Sequence, residues 1–478
     1  MANLPKLDAF IGGKPVASGG KASPMVSPVD LKPYAELVEC PEATVGAAIE
    51  NSHAAYMANR RSTLAQRSGW LTAAAAAIEA AVPELTAMLI SDIGKPKKAA
   101  SFEANRSAAF LRACAAQVLT LSGETVPVDA VPTGAGRIGF TKHVPFGVVA
   151  GITPFNAPIN LLVQKVGPAI AAGNAMVVKP HPTGIRIALR VADLFIKAGV
   201  PAGLFNVVTG DRDAAQALVR HPLVMAVTFT GGTVAGDALV RAAGAKKFLA
   251  ELGSNAANIV LADADIADAA KRIAGAAFEA SGQQCISAQR IIVEAPVFDA
   301  FLPAFIAAAK ALKVGDPNDE TVDVGPMVSL ASANRVMGMM ADAVARGGRC
   351  VLEPVQKDCI VSPGIAVGVP RQAQLWCDEV FGPLALVEKA ASADEALAMA
   401  NDSPFGLQGA LFTRSLKQAM RFSEEFDVGS LWVNEASRFR LDMYPFGGVK
   451  RSGFGREGVK YAIEEMSQLK FTGMRWDA

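Results

Sequence analysis

From about residue 145 the chain alternates short apolar runs with longer segments of helical periodicity. The run GVVAGI (147–152) has the composition of a buried strand, and INLLVQKVGPAIAAG (159–173) has the length of a helix. The same order continues through AMVVKP (175–180), GIRIALRVADLFIKAG (184–199), LFNVVTG (204–210), RDAAQALVRH (212–221), VMAVTFTG (224–231) and TVAGDALVRAAG (233–244). Strands that alternate with helices predict a parallel, doubly wound sheet, which binds ligands at the carboxyl ends of its strands.

A second alternation, from about 256 to 435, predicts a second α/β domain. It begins with AANIVLADAD and continues through ADAAKRIAGAAFEA, RIIVEAP and FDAFLPAFIAAAKALK. The N-terminal third is predicted to be mainly helical, because TVGAAIENSHAAYMANR and RSGWLTAAAAAIEAAVPELTAMLISDIG both have helical spacing. Short β-like runs in ETVPVDAVPTGAGRIGFTKHVPFG predict an excursion from the first domain, and the tail SQLKFTGMRW is strand-like. The predicted fold class is α/β, with two doubly wound parallel-sheet domains and a small β excursion.

Charge and cysteine content exclude several function classes. The 478 residues include 46 Lys and Arg against 45 Asp and Glu, and without a basic run this balance argues against a nucleic-acid partner. No segment reaches ~18 uninterrupted apolar residues, so no membrane span is expected, and MANLPKLDAFIGGKP lacks the pattern of a signal peptide. The cysteines form no CxxC pair and no cluster with histidine, which predicts no metal site and a reducing cytoplasm; they are Cys40, Cys114, Cys285, Cys350, Cys359 and Cys377.

The stretch FEASGQQCISAQR (278–290) contains Cys285, which is either a small buried apolar residue or a nucleophile. A nucleophilic thiol needs a lowered pKa or a base, and donors for an oxyanion. All four histidines lie well upstream, so a Cys-His hydrolase has no local signature. Glu251 closes an apolar strand in FLAELGSNAANIV, where it is either a general base or a solvated strand end.

Three further motifs follow predicted strands. Gly231 and Gly232 in FTGGTVAGDAL separate a strand from a helix, where free N–H groups suit a phosphate, although a tight turn gives the same pattern. Asn156 in GITPFNAPIN is placed either to donate to an oxyanion or to cap a helix. Lys179 in VVKP either reaches a ribose hydroxyl or is an ordinary lysine whose stem packs on apolar neighbours.

The order of these motifs is more specific than any one of them. The series TPFNAP, VVKP, FTGGT, ELGSN, GQQC, EVFGP (379–383) and PFGGVKRSGFGREG (445–458) resembles the aldehyde dehydrogenase superfamily over essentially the whole chain. The resemblance implies NAD(P)-dependent oxidation of an aldehyde to its acid through a thioester. It also implies a Rossmann-like cofactor-binding domain (1–122 plus 144–250), a catalytic domain (251–440) and oligomerisation strands (123–143 plus 463–478), and hence a homodimer or homotetramer.

The resemblance assigns roles by position. Cys285 matches the family's GQxC cysteine, which attacks the aldehyde carbon, while the Cys285 backbone N–H and the Asn156 amide would hold the oxyanion. Glu251 matches the base that activates water to hydrolyse the thioester. Lys179 is the fourth implied catalytic-site residue and matches the ribose-binding lysine; Glu457 has either a proton-relay or a structural role. The implied contacts of NAD or NADP are Ile152, Thr153, Pro154, Phe155, Asn156, Lys179, Gly210, Gly231, Gly232, Thr233, Leu252, Gly253, Glu379 and Phe381.

Some motifs depart from the family's common pattern. FTGGT replaces FTGST, which removes a hydroxyl near phosphate, and ELGSN replaces ELGGK. The ELGSN and CISAQR forms are similar to the branch that acts on lactaldehyde, phosphonoacetaldehyde or similar small polar aldehydes. NAD-preferring members often have Glu three residues after the ribose lysine; Pro182 stands there, so both NAD and NADP remain open.

The implied substrate tunnel also departs from the pattern. Ala157 and Gln164 occupy positions where bulky residues are frequent, and Arg440, six residues before Phe446, replaces a common aromatic. Arg106 lies on a helix expected to line the same tunnel. Because guanidinium groups bind carboxylate, phosphonate and sulfonate in a bidentate manner, an anionic aldehyde is one interpretation; a pair of structural salt bridges is the other.

A cysteine hydrolase, which would turn over without any nicotinamide, and two rivals on the same scaffold remain at this stage. CoA-acylating relatives usually lack the glutamate at position 251, and non-catalytic binding proteins on this scaffold tend to lose the cysteine or the glutamate. Both Glu251 and Cys285 are present, which favours a hydrolytic dehydrogenase over either rival.

Overall fold

The computed structural model describes residues 4–476. Its strands are β1 (Lys6–Leu7), β2 (Ala9–Ile11), β3 (Lys14–Val16), β4 (Ala22–Val26), β5 (Pro33–Val38), β6 (Thr125–Val126), β7 (Arg137–Pro145), β8 (Val148–Thr153), β9 (Ala175–Pro180), β10 (Phe205–Val207), β11 (Val224–Thr230), β12 (Lys247–Glu251), β13 (Ala257–Val260), β14 (Arg290–Glu294), β15 (Arg349–Leu352), β16 (Gln356–Lys357), β17 (Ile360–Val361), β18 (Gly364–Val367), β19 (Leu384–Ala390), β20 (Phe405–Gly406), β21 (Gln408–Phe412), β22 (Ser430–Val433), β23 (Val449–Lys450), β24 (Gly453–Phe454) and β25 (Ser467–Arg475). Its α-helices are α1 (Glu42–Asn59), α2 (Leu64–Ala80), α3 (Val82–Ile93), α4 (Lys97–Gln117), α5 (Asn160–Ala172), α6 (Ile185–Lys197), α7 (Arg212–Arg220), α8 (Thr233–Ala243), α9 (Ile266–Phe278), α10 (Ala295–Lys310), α11 (Leu330–Ala345), α12 (Gln374–Cys377), α13 (Ala393–Asn401), α14 (Leu416–Glu425) and α15 (Val459–Glu465).

The first large sheet has eight strands in the order β24-β12-β11-β8-β9-β10-β2-β3. Neighbours from β12 to β10 are parallel, while β24, β2 and β3 are antiparallel additions at the edges. Every residue of β8, β9 and β10 is buried, which explains why these strands are continuous apolar runs rather than alternating ones. The predicted alternation of strands and helices from 147 to 244 is confirmed.

The second large sheet has seven strands in the order β15-β18-β19-β14-β13-β21-β22. Its strands are parallel except for β15, which pairs antiparallel with β18 at one edge. The helix α9 packs against it with an apolar face that includes Ile273, Ala277 and Phe278. The predicted second α/β domain is therefore confirmed as part of a two-sheet α/β fold.

A small third sheet, in the order β25-β7-β6, stands apart from both. The strands β25 and β7 pair antiparallel over nine residues, from Ser467 opposite Pro145 to Arg475 opposite Arg137. These are the segments predicted to form an excursion and a strand-like tail; residues 477 and 478 of the tail lie outside the described residues. Leu469 and Phe471 on β25 are exposed, so this sheet presents apolar side chains on its surface.

The prediction of a mainly helical N-terminal third is wrong for residues 6–38. This segment forms β1 to β5, and β2 extends the first large sheet by pairing with β10. Its strands have two to six residues, too few for a period-2 pattern to stand out from a single sequence. The predicted long helical segment of 67–94 is also interrupted, because α2 ends at Ala80 and α3 begins at Val82 with Pro83 in its first turn.

In residues 4–476, no single helix has the length and apolarity to cross a membrane. One pair bent by 68°, α2 with α3, meets the criterion together, on length and composition only. The same part of the chain contains no group of three or more His, Cys, Asp and Glu residues arranged to hold a metal ion.

Candidate active site

The carboxyl ends of the parallel strands in the first sheet bring the predicted site residues to one edge. Ile152 on β8 is paired in register with Lys179 on β9, and Thr230 on β11 with Glu251 on β12. Since all four strands run in the same direction, the segments that follow them emerge on the same side of the sheet. The sequence predicted Lys179 and Glu251 at the ends of their strands and Asn156 just after the first strand, and the structure brings these strand ends to the same edge.

The loop between β8 and α5, which contains Asn156, is held by a buried carboxylate. Glu103 accepts hydrogen bonds from the backbone N–H groups of Ile159 at 2.8 Å and Asn160 at 3.2 Å, and it forms an ion pair with Lys95. A carboxylate at the first turn of a helix binds the free N–H groups there. Asn156 itself lines a cleft together with Gln284, the residue before Cys285.

The loop before Cys285 has an uncommon backbone. Ala280, Ser281 and Gly282 are three consecutive residues in the left-handed region, with φ of 51°, 59° and 62°. The Ser281 hydroxyl donates to the carbonyl of Gly325 at 2.7 Å, which fixes this turn against the segment before α11. Left-handed non-glycine residues cost free energy, so the surrounding contacts must hold this turn in place.

Gly282→Ala is expected to have a lower free energy of unfolding than the wild type, and its Cys285 thiol is expected to be alkylated much more slowly. A Cβ at this position would lie 2.2 Å from the carbonyl oxygen of Gly382, and the left-handed φ adds strain, so we expect a loss of about 1–3 kcal/mol or more in the free energy of unfolding. Denaturant unfolding and alkylation of Cys285 measure the two effects. Gly338→Ala is the matched control, because a Cβ there meets no atom within 4 Å; equal stability losses in both variants would contradict the prediction.

Cys285 lies half-buried beside an apolar cluster. The cluster contains Ile286, Leu407 and Phe446, and Cys285 and Tyr444 pack against it. Burial, and then the neighbouring Glu251 carboxyl, raise the pKa of the Cys285 thiol well above its usual value. The resting thiol is therefore protonated and needs a base before it can act as a nucleophile.

Glu251 is the buried base candidate beside that thiol. Its side chain sits in a residue only 4% exposed, and neither carboxylate oxygen has a hydrogen-bond partner of good geometry among residues 4–476. Burial, followed by repulsion from Glu457, raises the pKa of Glu251 to about 7, although Arg440 and Cys285 oppose the rise. A carboxyl group with this pKa exchanges a proton readily near neutral pH.

Six polar side chains, which include three of the predicted tunnel residues, are linked in series by hydrogen bonds; we call this series the polar chain. Its members, in order of contact, are Lys165, Glu457, Arg440, Gln164, Asp442 and Arg106. Glu457 accepts from Lys165 at 3.1 Å and from Arg440 at 2.8 Å. Although burial opposes ionisation, Lys165 and Arg440 hold the pKa of Glu457 well below its usual value. Glu457 is therefore ionised, and a group that holds its proton so weakly is a poor base.

The outer half of the polar chain contains the contacts of Arg106 and Arg440, the two arginines predicted to bind substrate. Arg106 forms a bidentate pair with Asp442, at 3.1 Å and 2.7 Å, and Gln164 links Asp442 at 3.2 Å to Arg440 at 3.0 Å. Arg440 also lies over the ring of Phe446, at 3.7 Å from its centroid. These contacts agree with the interpretation that the two arginines form structural salt bridges. A substrate-binding role for Arg106, Gln164, Arg440 and Phe446 stays a prediction.

One group of predicted cofactor contacts lies at the ends of β9 and β10. The Lys179 ammonium donates to the carbonyl of Gly210 at 3.1 Å, so these two positions are brought together. Burial lowers the pKa of Lys179 to about 8 and, together with Lys179, lowers the pKa of His181 to about 4. His181 also stacks obliquely on Phe155, with ring centroids 5.1 Å apart.

A second group surrounds the start of α8. A Cβ built on Gly253 would lie 3.0 Å from the Glu379 carboxylate and 3.2 Å from the Thr233 hydroxyl, so the three residues meet around a space that a side chain would fill. Gly232 caps α8 without a side-chain hydrogen bond, and the N–H of Gly231 donates to the carbonyl of Glu251 at 3.1 Å. Free helix N–H groups beside a carboxylate fit the pyrophosphate and a ribose of a dinucleotide.

The remaining predicted contacts fit the same edge. Phe381 has a φ of 44°, and its ring meets that of Phe155 edge to face at 5.6 Å. Ile152 and Thr153 end β8, Pro154 follows them, and Leu252 follows Glu251 at the end of β12. The donor set and its shape therefore suit NAD or NADP, with Glu379, whose pKa burial raises to about 7, near the catalytic end.

Sequence reasoning missed several residues of this site. Lys165 is 1% exposed and is the only charged residue of α5, and that isolated charge was the available signal. Asp442 has no distinguishing sequence context. Ser437 donates to the carbonyl of Ile286 at 2.9 Å, and Arg438 donates to Gln284 at 3.0 Å, so both fasten the loop after β22 to the nucleophile loop.

Comparison with known proteins identifies the family and the fold. A family model described as "Aldehyde dehydrogenase family" matches residues 16–472. The solved structure of NADP-dependent glyceraldehyde-3-phosphate dehydrogenase from Bacillus halodurans C-125, complexed with NADP, superposes with a TM-score of 0.95 at 30% identity, over 98% of this chain and 99% of that one. That of PnpE in complex with nicotinamide adenine dinucleotide gives 0.93 at 33% identity, over 98% of each chain.

A curated relative narrows the comparison further. The 3-sulfolactaldehyde dehydrogenase of Priestia aryabhattai is 41% identical over 386 residues, which are 80% of this chain and 81% of the relative. The chain belongs to the aldehyde dehydrogenase family. It is accordingly an oxidoreductase that uses NAD or NADP, and the predicted fold class and enzyme class are confirmed.

Proposed function

We propose that the protein oxidises a small polar aldehyde, including anionic ones, to its carboxylic acid through a covalent thioester on Cys285. The observation that supports this most directly is the closeness of the Cys285 thiol to the buried Glu251 carboxyl, since each perturbs the pKa of the other. A nucleophile and a base in contact, beside a cleft that contains Asn156, meet the geometric needs of acyl chemistry on a thiol.

The first half of the reaction forms the covalent bond. Cys285 loses its proton to Glu251, directly or through a water molecule, and the thiolate adds to the aldehyde carbon. In this proposal the oxyanion accepts hydrogen bonds from the Asn156 amide and the Cys285 backbone N–H. Hydride acceptance is the chemistry that bound NAD or NADP supplies, and Cys285 is then left with a thioester.

The second half releases the acid. Once Glu251 has passed the thiol proton to solvent, it takes a proton from water as that water attacks the thioester carbonyl. The tetrahedral intermediate then expels the Cys285 thiolate, which takes up the proton from Glu251 and returns to its thiol form. A base with a pKa of about 7 accepts that proton efficiently at neutral pH. When NAD or NADP is bound, Lys179 would hold the adenosine ribose, Gly231, Gly232 and the N-terminus of α8 would hold the pyrophosphate, and Glu379 would hold the nicotinamide ribose.

The residues predicted to line the substrate tunnel favour a polar substrate. Arg106, Gln164 and Arg440 belong to the polar chain, and guanidinium groups suit carboxylate, phosphonate or sulfonate. The name of the Priestia relative states a sulfonated aldehyde as its substrate. An anionic aldehyde would share the guanidinium of Arg106 with Asp442.

Arg106→Ala is expected to raise KM for an anionic aldehyde by about tenfold or more and to leave KM for a neutral aldehyde unchanged, because only the anion uses the guanidinium charge. Steady-state kinetics with sulfoacetaldehyde and glycolaldehyde measure both values. Asp442→Asn is the matched variant, since it removes the carboxylate that pairs with Arg106 and should not raise KM for the anionic aldehyde. Equal KM increases for both aldehydes in Arg106→Ala would assign the residue to the Asp442 ion pair alone.

The experiment that tests the function is absorbance at 340 nm with purified protein, NAD or NADP, and an aldehyde panel. The panel contains glycolaldehyde, lactaldehyde, succinic semialdehyde, phosphonoacetaldehyde, sulfoacetaldehyde and benzaldehyde. Reduction that prefers the anionic members supports the whole proposal, and reduction with neutral members only removes the anionic substrate. Silence with both cofactors, followed by turnover only after CoA is added, would replace the proposal with CoA-acylating chemistry.

The same proposal includes a homodimer or homotetramer in a reducing cytoplasm. Exposed Leu469, Phe471 and Met474 on β25, and the open edge strand β22, are the kind of surfaces that a second copy covers. The six cysteines are free thiols, which fits a reducing compartment.

A further inference from the structure

Three buried polar atoms near the nucleophile, on two side chains of opposite charge, lack a hydrogen-bond partner of good geometry. In the described part of the chain, these are both carboxylate oxygens of Glu251 and the Nε of Arg440. Buried polar atoms without partners are costly, and they recur where a side chain changes partners during function. The Arg440 side chain is 8% exposed, so solvent offers its Nε little compensation.

Backbone register and side-chain contacts make these groups neighbours. Thr230 is the register partner of Glu251 across β11 and β12, and its hydroxyl lies 3.5 Å from Glu457 Oε1. The other oxygen of Glu457 accepts from Arg440 Nη2 at 2.8 Å. On the thiol side, Phe446 packs in the cluster that Cys285 contacts, and Arg440 lies over its ring. Arg440 therefore contacts the surroundings of Glu251 from two sides.

Among the charged side chains of the polar chain, the cations outnumber the anions by one. Lys165 balances Glu457, with which it forms an ion pair, and Arg106 balances Asp442. Arg440 is the remaining cation, and Glu251 is the remaining anion when it ionises. The charged or titratable groups that face Glu251 are Cys285, Glu457, Arg440, Lys165 and Glu379.

We propose that Arg440 is the counter-ion of Glu251, a positioning residue that stabilises the ionised carboxylate and offers it a resting contact through Nε. The inference rests on the proposed role of Glu251 as base. An aromatic residue, common at this position in the family, supplies no positive charge, so this chain would keep its base ionised at lower pH than a chain with an aromatic there. Two carboxylates and two cations then form a neutral group within the buried site.

The direct test is infrared titration of Glu251 in the holoenzyme. The carbonyl stretch of its protonated form is assigned by subtraction of the Glu251→Gln spectrum. In Arg440→Gln, which removes the charge but keeps N–H donors, the midpoint should move up by about one pH unit or more, because an opposite charge at this range favours ionisation. Arg440→Lys keeps the charge and should restore most of the wild-type midpoint.

Each outcome decides the inference. An unchanged midpoint in Arg440→Gln, or equal increases in the glutamine and lysine variants, would overturn the counter-ion role. If the glutamine variant does not fold, Arg440→Met, whose stem still covers Phe446, is the neutral comparison. The titration needs no turnover, so a wild type that oxidises none of the panel aldehydes would refute the proposed function and leave this measurement interpretable.

A kinetic measurement separates this role from substrate binding. With glycolaldehyde, which has no charge for Arg440 to bind, the acid limb of the kcat profile should move up with the infrared midpoint, while KM stays within about twofold. At pH 6 the neutral variant should retain about a tenth of wild-type kcat if the midpoint moves by one unit. A profile that keeps its acid limb, with KM raised only for sulfoacetaldehyde, would assign Arg440 to the substrate and overturn the inference.

Discussion

Cys285→Ala is expected to lower kcat by at least about a thousand-fold and to leave NAD(P) binding within about twofold of the wild type. The variant removes the atom that forms the thiohemiacetal and the thioester, so no covalent route to the acid remains. The predicted cofactor contacts lie on the first sheet and around Glu379, and they do not depend on the thiol. Quenching of tryptophan fluorescence measures cofactor binding, and absorbance at 340 nm measures turnover.

Cys377→Ala is the matched control for that prediction. Its thiol is also half-buried, but it donates to the carbonyl of Ala373 within α12, so it belongs to the helix rather than to the cleft. We expect it to keep wild-type turnover. Substantial aldehyde oxidation by Cys285→Ala would refute covalent catalysis at this residue, and equal losses in both variants would indicate a structural cause.

Much of the fold follows from patterns that have a direct physical cause. Buried parallel strands need apolar side chains on both faces, so β8 and β9 stand out as apolar runs that end within one residue of the predicted positions. The helix α6 has an apolar stripe, which includes Val191 and Phe195, because only one of its faces meets the sheet. Where strands are two or three residues long, as in β1 and β2, local pattern carries too little information and tertiary pairing decides.

The candidate site likewise contains residues that the sequence predicts and contacts that it does not. Cys285, Glu251, Asn156 and Lys179 follow strands or occupy a recognisable motif, so their positions were available from the sequence. The partnership between Arg106 and Asp442 joins residues separated by 336 positions, and no spacing rule predicts it. The turn at Ala280 and Ser281 was equally hidden, because neither residue type favours a positive φ.

The contacts within the polar chain distinguish the two arginines that were predicted to line the tunnel. Read as isolated residues, Arg106 and Arg440 are equivalent candidates for an anionic substrate. Their contacts differ: Arg106 pairs with one carboxylate, whereas Arg440 is shared between Glu457, Gln164 and the ring of Phe446 near the base. The outer arginine is therefore the better probe of substrate charge, and the inner one the better probe of general-base catalysis.

Glu251→Gln is expected to convert the enzyme into one that acylates but does not turn over. The amide cannot take a proton from water, so hydrolysis of the thioester should slow by about 10²–10⁴-fold. Because the thiol also has a raised pKa, acylation should slow too, but to a smaller extent at high pH, where the thiolate forms unaided. A burst of about one NAD(P)H per active site, followed by a stalled steady state, is the expected trace in stopped-flow absorbance.

The pH dependence of kcat in the wild type is expected to follow the ionisation of Glu251. Glu251 must be deprotonated to act as base, and its pKa is raised to about 7, so kcat should rise through pH 7 and level off above it. In Glu251→Gln this limb should disappear from the residual rate. Glu388→Gln is the control, because that half-buried carboxylate on β19 accepts from the Val369 N–H at 2.7 Å and shares no hydrogen-bond partner with Cys285 or Glu251. A limb that persists unchanged in Glu251→Gln would assign it to another group and remove Glu251 as the base.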